Sequence, residues 1–533
     1  MMKLKFLPVL FLLACCQALQ AQSSWFRTYT PDSIGNEVIY DMAPLAGGGF
    51  AAVGNASTST GGSGDGDILL MRFNDLGEVL WAKSYDGGGM ESGLDIEVHP
   101  GGGFVISASR SVTAPVSDDL LVFRTDSSGN ISWTYRLTGS GTENINSLLV
   151  NPSGTILLTG NTGLCQTAFS CAYALLLDEN GNVLWNRSYE KDNACFFNSA
   201  ISTSDGGFLF TGYTLNLIFD QNGWVLKADS NGVMNWSNTY VDASLEQFNH
   251  ATENTLAQGY VLVGETTPNL SSNADVLVGI IDYSGNYIGG GFAGGPEDDR
   301  ALNVHPLFGT SVLITGQTYV DTLQNSFIQG LALEVNVATG ALGSSVYIGN
   351  SVSNNEVYCS AIDQQGYLLM AGTSNQFSGF PSDIAILRKN VAPGTVCFEN
   401  PISSIASFNA YTLVPGADTA SITFTIAADT LSASTYLLTD SLVCGTTGLN
   451  ETAGTRSLKF SPNPASDMLR IETPMSTDCV LEILNINGQL MLRKTLGTGQ
   501  NPVSVGALEE GVYIIRLLND REILTGRFVK AGE

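Results

Sequence analysis

The chain has 533 residues, a formal net charge of −27, only 14% charged residues and 59 glycines. At this length more than one core is expected. So acidic a surface repels nucleic acid and anionic membranes, which excludes both as partners, and abundant glycine with few charges points to an all-β protein.

The first element is an export signal. Lys3 and Lys5 precede an apolar run, Phe6 to Ala14, and the small-residue sequence ALQAQ; together they predict a signal peptide over residues 1–21, cut after Ala21. The alternative is a lipoprotein signal, LLAC, acylated at Cys15. No later segment approaches the roughly 20 apolar residues that span a bilayer, so no transmembrane segment is expected after signal removal. Cys15 and Cys16 leave with the signal. Among the remaining cysteines, Cys165 with Cys171 and Cys397 with Cys444 are disulfide candidates, with the connectivity open. None has the spacing of a zinc site or a redox CxxC pair.

Residues 22–390 are built of repeats. Apolar runs ending in glycine recur at Gly54, Gly160, Gly212, Gly264, Gly316 and Gly372, and Ala108 takes the same place in GGGFVISAS. The spacing of 52 to 56 residues predicts seven repeats. Each reads as four short strands: one before a turn, the anchor strand, a third after a variable loop, and a fourth that begins at a tryptophan after an Asp-x-x-Gly hairpin. Four-stranded units with no sustained 3.6-residue period predict β-propeller blades. The seventh repeat has a third strand, SDIAILRKN, but no fourth, whereas WFRTY (Trp25 to Tyr29) stands alone at the N-terminus. The expectation is a seven-bladed β-propeller closed by that N-terminal strand pairing beside residues 383–389. Fourth strands are then expected to begin at Trp25, Trp81, Trp133, Trp185 and Trp236, and near Ile288 and Ser344. A tryptophan at a fixed repeat position is expected to pack between blades.

The repeat DILLMRFNDLGEVLWAKSYDGGG resembles that of secreted bacterial β-propellers whose units read D-x-x-L-x-K/R-x-D-x-x-G-x-x-x-W. The resemblance covers all seven repeats and speaks for fold rather than activity. Residues 391–456 are rich in Ser, Thr and Ala and are expected as a β segment and linker, with one alternating run, Ala420 to Asp429. Residues 457–533 carry FSPNPASDMLRIE, LEILNINGQLM and LEEGVYIIRL. Alternating runs broken by Asn-Gly and Gly turns predict a small C-terminal β-sandwich. The segment resembles the type A C-terminal sorting domain of the type IX secretion system. That resemblance implies the type IX machinery as a partner, and a protein released outside the cell or attached to its surface.

Chemistry is sparse. His99, His250 and His305 are the only histidines, and G-x-S-x-G, HExxH and Walker patterns are absent. GGSGDGD (Gly61 to Asp67) lacks the spacing of a calcium loop. Acidic residues recur about seventeen positions before the anchors: Glu37, Glu91, Glu143, Glu246, Glu297 and Glu356, with Cys195 in the fourth repeat. At the start of each first strand they are expected either to ring one channel mouth and hold a cation such as calcium or a basic ligand, or to serve the repeat by pairing with backbone amides or with Arg72, Arg124, Lys227 or Arg388. No cofactor is predicted. The expected function is an exported propeller that binds a glycan or protein, and more simply not an enzyme. The alternative is a secreted polysaccharide hydrolase or lyase with its site on the channel rim. A quinone-dependent dehydrogenase fits least, since it needs eight blades and a vicinal disulfide.

Overall fold

The computed structural model describes residues 24–31, 37–57, 66–113, 116–138, 143–241, 245–267, 273–294, 297–321, 326–349, 353–375 and 383–391. It also describes seven short strands between 399 and 445, and residues 459–531 apart from 463–464, 474–478, 486–489, 509–510 and 519–522. The expected signal, Cys15, Gly61 to Asp65 and Cys397 lie outside the described residues. The chain divides into two units, residues 1–446 and 447–533.

The first unit is seven antiparallel sheets, each containing one sequence repeat. Repeat one shows the plan: Val38–Pro44, Phe50–Ser57, Gly66–Phe73 and Val79–Asp86, in spatial order. The first strands of repeats two to seven are Met90–Val98, Glu143–Val150, Ala194–Ser202, Leu245–Asn254, Asp299–Pro306 and Asn355–Ile362. First strands of consecutive repeats pack against one another, and that of repeat seven packs against that of repeat one. The N-terminal strand Trp25–Pro31 completes repeat seven, with Trp25 opposite Arg388 and Tyr29 opposite Ile384.

The anchor glycines have a steric cause. Every first strand shifts register by one residue midway, as between Ile39 and Asp41 or Ile145 and Ser147. This bulge presses a backbone carbonyl onto the second strand. A Cβ on Gly160 would run into the Asn144 carbonyl oxygen, and one on Gly212 into that of Phe196. Repeat two exchanges the roles: Ala108 holds the anchor place, and Gly93 stands opposite it.

Residues 391–456 differ from expectation. Rather than a linker, they supply a fifth strand to all seven sheets. Glu399–Pro401 pairs with repeat six, Ile405–Ser407 with five, Thr412–Pro415 with four and Asp418–Ala420 with three. Thr425–Ala428, Ser432–Thr435 and Leu438–Gly445 then pair with repeats two, one and seven. This strap visits the repeats in reverse order and covers the edge that each fourth strand would leave unpaired. Its last strand lies against Trp25–Pro31, so the N-terminal strand is held on both sides. Strands of three or four residues carry too little alternation to be read from sequence.

The second unit has a three-stranded sheet (Lys459–Ser461, Met468–Thr473, Gly499–Ser504) and a four-stranded one (Leu490–Leu496, Cys479–Asn485, Gly511–Leu518, Ile523–Lys530). Leu469, Ile471, Leu481, Ile483, Val503, Ile515 and Phe528 make its fully buried core. Inside the edge of that core, Glu482 pairs with Arg516 at 2.6 Å.

Candidate functional site: the central cavity

Two kinds of contact join one repeat to the next. At the outer side, the fourth strand latches onto the hairpin turn of the following repeat. Trp25 Nε1 donates to the Asp75 carbonyl at 3.0 Å, Trp185 to Ser230 at 3.0 Å and Trp236 to Tyr283 at 3.0 Å. Four residues on, a tyrosine hydroxyl donates to a turn carbonyl: Tyr29 to Gly77 at 2.6 Å, Tyr85 to Gly129 at 2.7 Å, and Tyr189 to Gly232 at 2.7 Å. The tryptophans are thus inter-repeat latches, and the Trp25–Tyr29 pair makes the same latch from repeat seven to repeat one.

At the inner side, each bulge aims two neighbouring residues away from the sheet. The bulge residues are Tyr40, Leu94, Asn146, Asn198, Asn249, Leu302 and Tyr358; the next are Asp41, Asp95, Ser147, Ser199, His250, Asn303 and Cys359. All fourteen line one cavity of about 590 Å³. The second set laces repeats together. Asp41 Oδ2 accepts the Ile96 amide at 3.0 Å, Asp95 Oδ2 that of Leu148 at 2.6 Å, and His250 Nδ1 that of Val304 at 3.3 Å. The asparagines form a ladder, Asn146 Nδ2 donating to Phe197 O at 2.7 Å, Asn198 to Phe248 O at 3.1 Å and Asn249 to Ala301 O at 2.8 Å.

The ionisable groups here are held near neutrality. Burial pushes the Asp41 carboxyl well above the usual range, and a hydrogen bond with the Asp95 carboxyl pushes it further. Burial raises Asp95 as well, while the bond to Asp41 lowers it. Glu97 on the same wall is pushed up to about 8, by burial and then by the Asp95 charge. Opposite charge is not supplied by the histidines. Burial lowers His250 to about 4 and His305, beside it, to about 3, and His305 Nε2 lies 2.7 Å from Ser360 Oγ. Burial and the nearby Asp41 also raise the Cys359 thiol. At neutral pH the wall therefore offers hydrogen-bond donors and acceptors with little charge.

The six glutamates, expected either at a channel mouth or paired within the repeat, do not line this cavity. Glu37, Glu91, Glu143 and Glu246 are buried at the starts of the first strands. Glu91 Oε1 accepts the Gly89 amide at 2.9 Å and meets Arg110 Nε at 3.2 Å; Thr162 donates to Glu143 at 3.3 Å. Register aligns Asp299 and Asn355 with them, opposite Thr318 and Ser374, rather than Glu297 and Glu356. Glu297 accepts from Asn273 at 3.3 Å, and Glu356 accepts from Tyr358. The third-strand bases pair elsewhere, Arg388 with Asp363 at 2.6 Å and Lys227 with Asp205 at 2.9 Å. Asp67, Asp86 and Glu91 bring carboxylate oxygens within 4.8 Å of one another, but Arg110 already sits on Glu91. Cys165 and Cys171 form a disulfide, while Cys195, Cys359 and Cys479 are buried. Cys444 lies in the strap opposite Phe26.

The cavity residues escaped the sequence, yet a signal existed. Four residues after the register-aligned column of Glu37, Glu91, Glu143, Cys195, Glu246, Asp299 and Asn355, the residues read Asp, Asp, Ser, Ser, His, Asn, Cys across the repeats. A position polar in nearly every repeat but different in each serves something other than the repeat.

Residues 459–531 match the secretion system C-terminal sorting domain family. The second unit is thus a type IX sorting domain, appended to an all-β repeat unit. The protein is a substrate of the type IX machinery, secreted or attached to the outer cell surface. No curated protein matches the chain. Among solved structures, a eukaryotic initiation factor is similar at 12% identity and a TM-score of 0.36, covering 74% of this chain and 98% of its own. The extracellular domain of a hybrid two-component system from B. thetaiotaomicron is similar at 9% identity and a TM-score of 0.14, covering 95% and 99%. At these scores neither likeness bears on function. Among the described residues, no helix is long and apolar enough to cross a membrane.

Proposed function

We propose that the seven sheets form a closed seven-bladed β-propeller, exported as a binding or adhesion module whose central cavity takes a hydroxyl-rich ligand, a glycan. The cyclic packing of the first strands and the Trp25–Tyr29 latch onto repeat one support closure. The observation that carries the ligand class is the cavity wall. Asparagine amides, serine hydroxyls, a proton-sharing carboxyl pair and neutral imidazoles offer directional hydrogen bonds, and Tyr40 with Tyr358 adds an edge-to-face aromatic pair at 5.5 Å. A wall of this kind suits sugar hydroxyls and ring faces better than a strongly charged ligand.

The Asp41–Asp95 pair also argues against glycoside hydrolysis. Its carboxyls bond to each other, whereas the two carboxyls of a retaining glycosidase stand about 5–5.5 Å apart to flank the scissile bond. Glycan-array binding by the exported protein, run beside polysaccharide-degradation assays, tests this. Saturable binding lost on Asn198→Asp, without turnover of any bound glycan, is expected. Turnover abolished by Asp41→Asn or Asp95→Asn would replace binding with catalysis. Removal of residues 459–533 is expected to leave the protein in the periplasm, measured by cell fractionation.

A further inference from the structure

The seam between repeats three and four holds three cysteines. Cys165 and Cys171 close the loop CQTAFSC as a disulfide, their Cα atoms 5.7 Å apart. Cys195, at the start of the first strand of repeat four, stands outside that bond and keeps its thiol. Its amide donates to the Ser170 carbonyl at 3.0 Å, and its Sγ accepts the Ala172 amide at 3.4 Å. Cys195 thus holds the residues on both sides of Cys171. Ser170 and Ala194 form a parallel bridge, so Cys171 and Cys195 are the next pair in register. Neighbouring strands lie about 5 Å apart, inside the roughly 4.4–6.8 Å that a disulfide spans between Cα atoms. All three cysteines belong to one apolar cluster with Leu157 and Phe197.

The other seams show that these two positions meet as a rule. Register puts Cys171, opposite Thr162, in the third-strand column of Asp67, Asp275 and Gln329. Cys195 holds the first-strand column of Glu91, Asp299 and Asn355. Across the seam of repeats six and seven, Asn355 Nδ2 donates to Gln329 Oε1 at 3.0 Å. Between repeats one and two, Asp67 and Glu91 bring carboxylate oxygens within 4.8 Å. Between repeats five and six, a Cβ on Gly294 would lie 1.9 Å from Asp275 Oδ1 and 3.0 Å from Asp299 Oδ2. Where those seams carry a polar pair, the seam of repeats three and four carries two sulfurs.

We infer that Cys171 is shared by two partners: the Cys165–Cys171 disulfide exchanges with Cys195 to give a Cys171–Cys195 staple across the seam. In that step the Cys195 sulfur, as thiolate, attacks Cys171 Sγ. The bond to Cys165 breaks, and Cys165 leaves as a thiolate that takes up a proton. One disulfide and one thiol stand on each side, so no oxidant or reductant is consumed. The thiolate is the attacking species, and the closed seam withholds it. The Cys195 thiol donates to the Tyr189 carbonyl at 3.1 Å, and burial pushes it up to about 12. Exchange therefore waits on opening of the seam. The loop keeps an anchor when Cys165 is released, because Glu190 accepts the Gln166 and Thr167 amides at 2.5 and 3.0 Å. The staple joins two repeats and closes a longer stretch of chain than the loop disulfide does, so it constrains the unfolded chain more.

The test is disulfide mapping of the exported full-length protein: equilibration with a trace of reduced glutathione, alkylation, digestion and mass spectrometry of the cross-linked peptides. Both the Cys165–Cys171 and the Cys171–Cys195 peptides are expected, with the alkyl label on Cys195 in the first isomer and on Cys165 in the second. Cys165→Ser, oxidised with glutathione disulfide, is expected to convert fully to the Cys171–Cys195 peptide and to show a higher Tm than the same variant reduced. Cys195→Ser is expected to hold the Cys165–Cys171 bond alone. Exclusive Cys165–Cys171 pairing in the parent after equilibration overturns the exchange, and that outcome does not depend on either variant folding. A Cys171–Cys195 peptide that appears only after unfolding in urea overturns it as well, since the pairing would then belong to the unfolded chain. Glycan binding in the central cavity is expected to be the same in both variants, so the two proposals fail separately.

Discussion

The outer seams and the inner cavity wall are built from the same repeats in opposite ways. At the seams one chemistry returns: a tryptophan on a turn glycine and a tyrosine hydroxyl on a turn carbonyl. At the wall one position returns with its chemistry changed, from Asp41 and Asp95 through Ser147 and Ser199 to His250, Asn303 and Cys359. Uniformity marks the residues that hold most pairs of sheets together. Variation marks the place where the protein needs no symmetry, as the proposed glycan site requires none.

Substitutions separate the two regions by size of effect. The largest loss is expected for Trp25→Ala. Its ring is buried and joins the N-terminal strand to repeat one, so removal is expected to cost about 3–5 kcal/mol, measured by urea unfolding. Gly160→Ala follows at about 2–3 kcal/mol, because the bulged first strand must move off the new methyl group; a neutral outcome would break the account of the anchor glycines.

The wall is expected to respond to pH rather than to packing. Glu97 is held above its ordinary value, so its contribution to stability is present in acid and is lost as pH rises from the usual carboxylate range through about 8. Glu97→Gln removes that loss. It is expected to match the parent at pH 4 and exceed it by about 1–2 kcal/mol at pH 9, a figure discounted because the side chain faces the open cavity. His250 acts with the opposite sign. Its lowered value means stability falls on acidification from about 6.5 through about 4, and His250→Asn is expected to flatten that limb of the unfolding-against-pH curve. Asp41→Asn, smallest of all, keeps a hydrogen-bonding partner for Asp95 and is expected to change stability at pH 7 by less than about 1 kcal/mol.

Much of the frame was legible because repetition amplifies weak local signals. The anchor glycines, the Asp-x-x-Gly turns and the stray WFRTY could be read against several copies, and register bears out the pairing of Trp25–Tyr29 with repeat seven. The strap was not legible, since Glu399–Pro401 or Asp418–Ala420 is too short to show a period, and their partners, residues 346–348 and 188–190, lie in other repeats' strands. The acidic positions stayed open between two readings for a different reason: the alignment found the column in four repeats, but a column alone does not say whether a side chain faces the channel or the next sheet. Glu91 faces Arg110.

The sequence by itself determined the all-β repeat, its period, the displaced strand and the export domain, because these rest on local turn chemistry and alternation that each segment carries within itself. Tertiary structure decided what the strap does, where the acidic residues point and which positions meet in the cavity. Those depend on one-residue bulges that turn a side chain from one face to another, and a shift of one residue leaves no mark in composition or period.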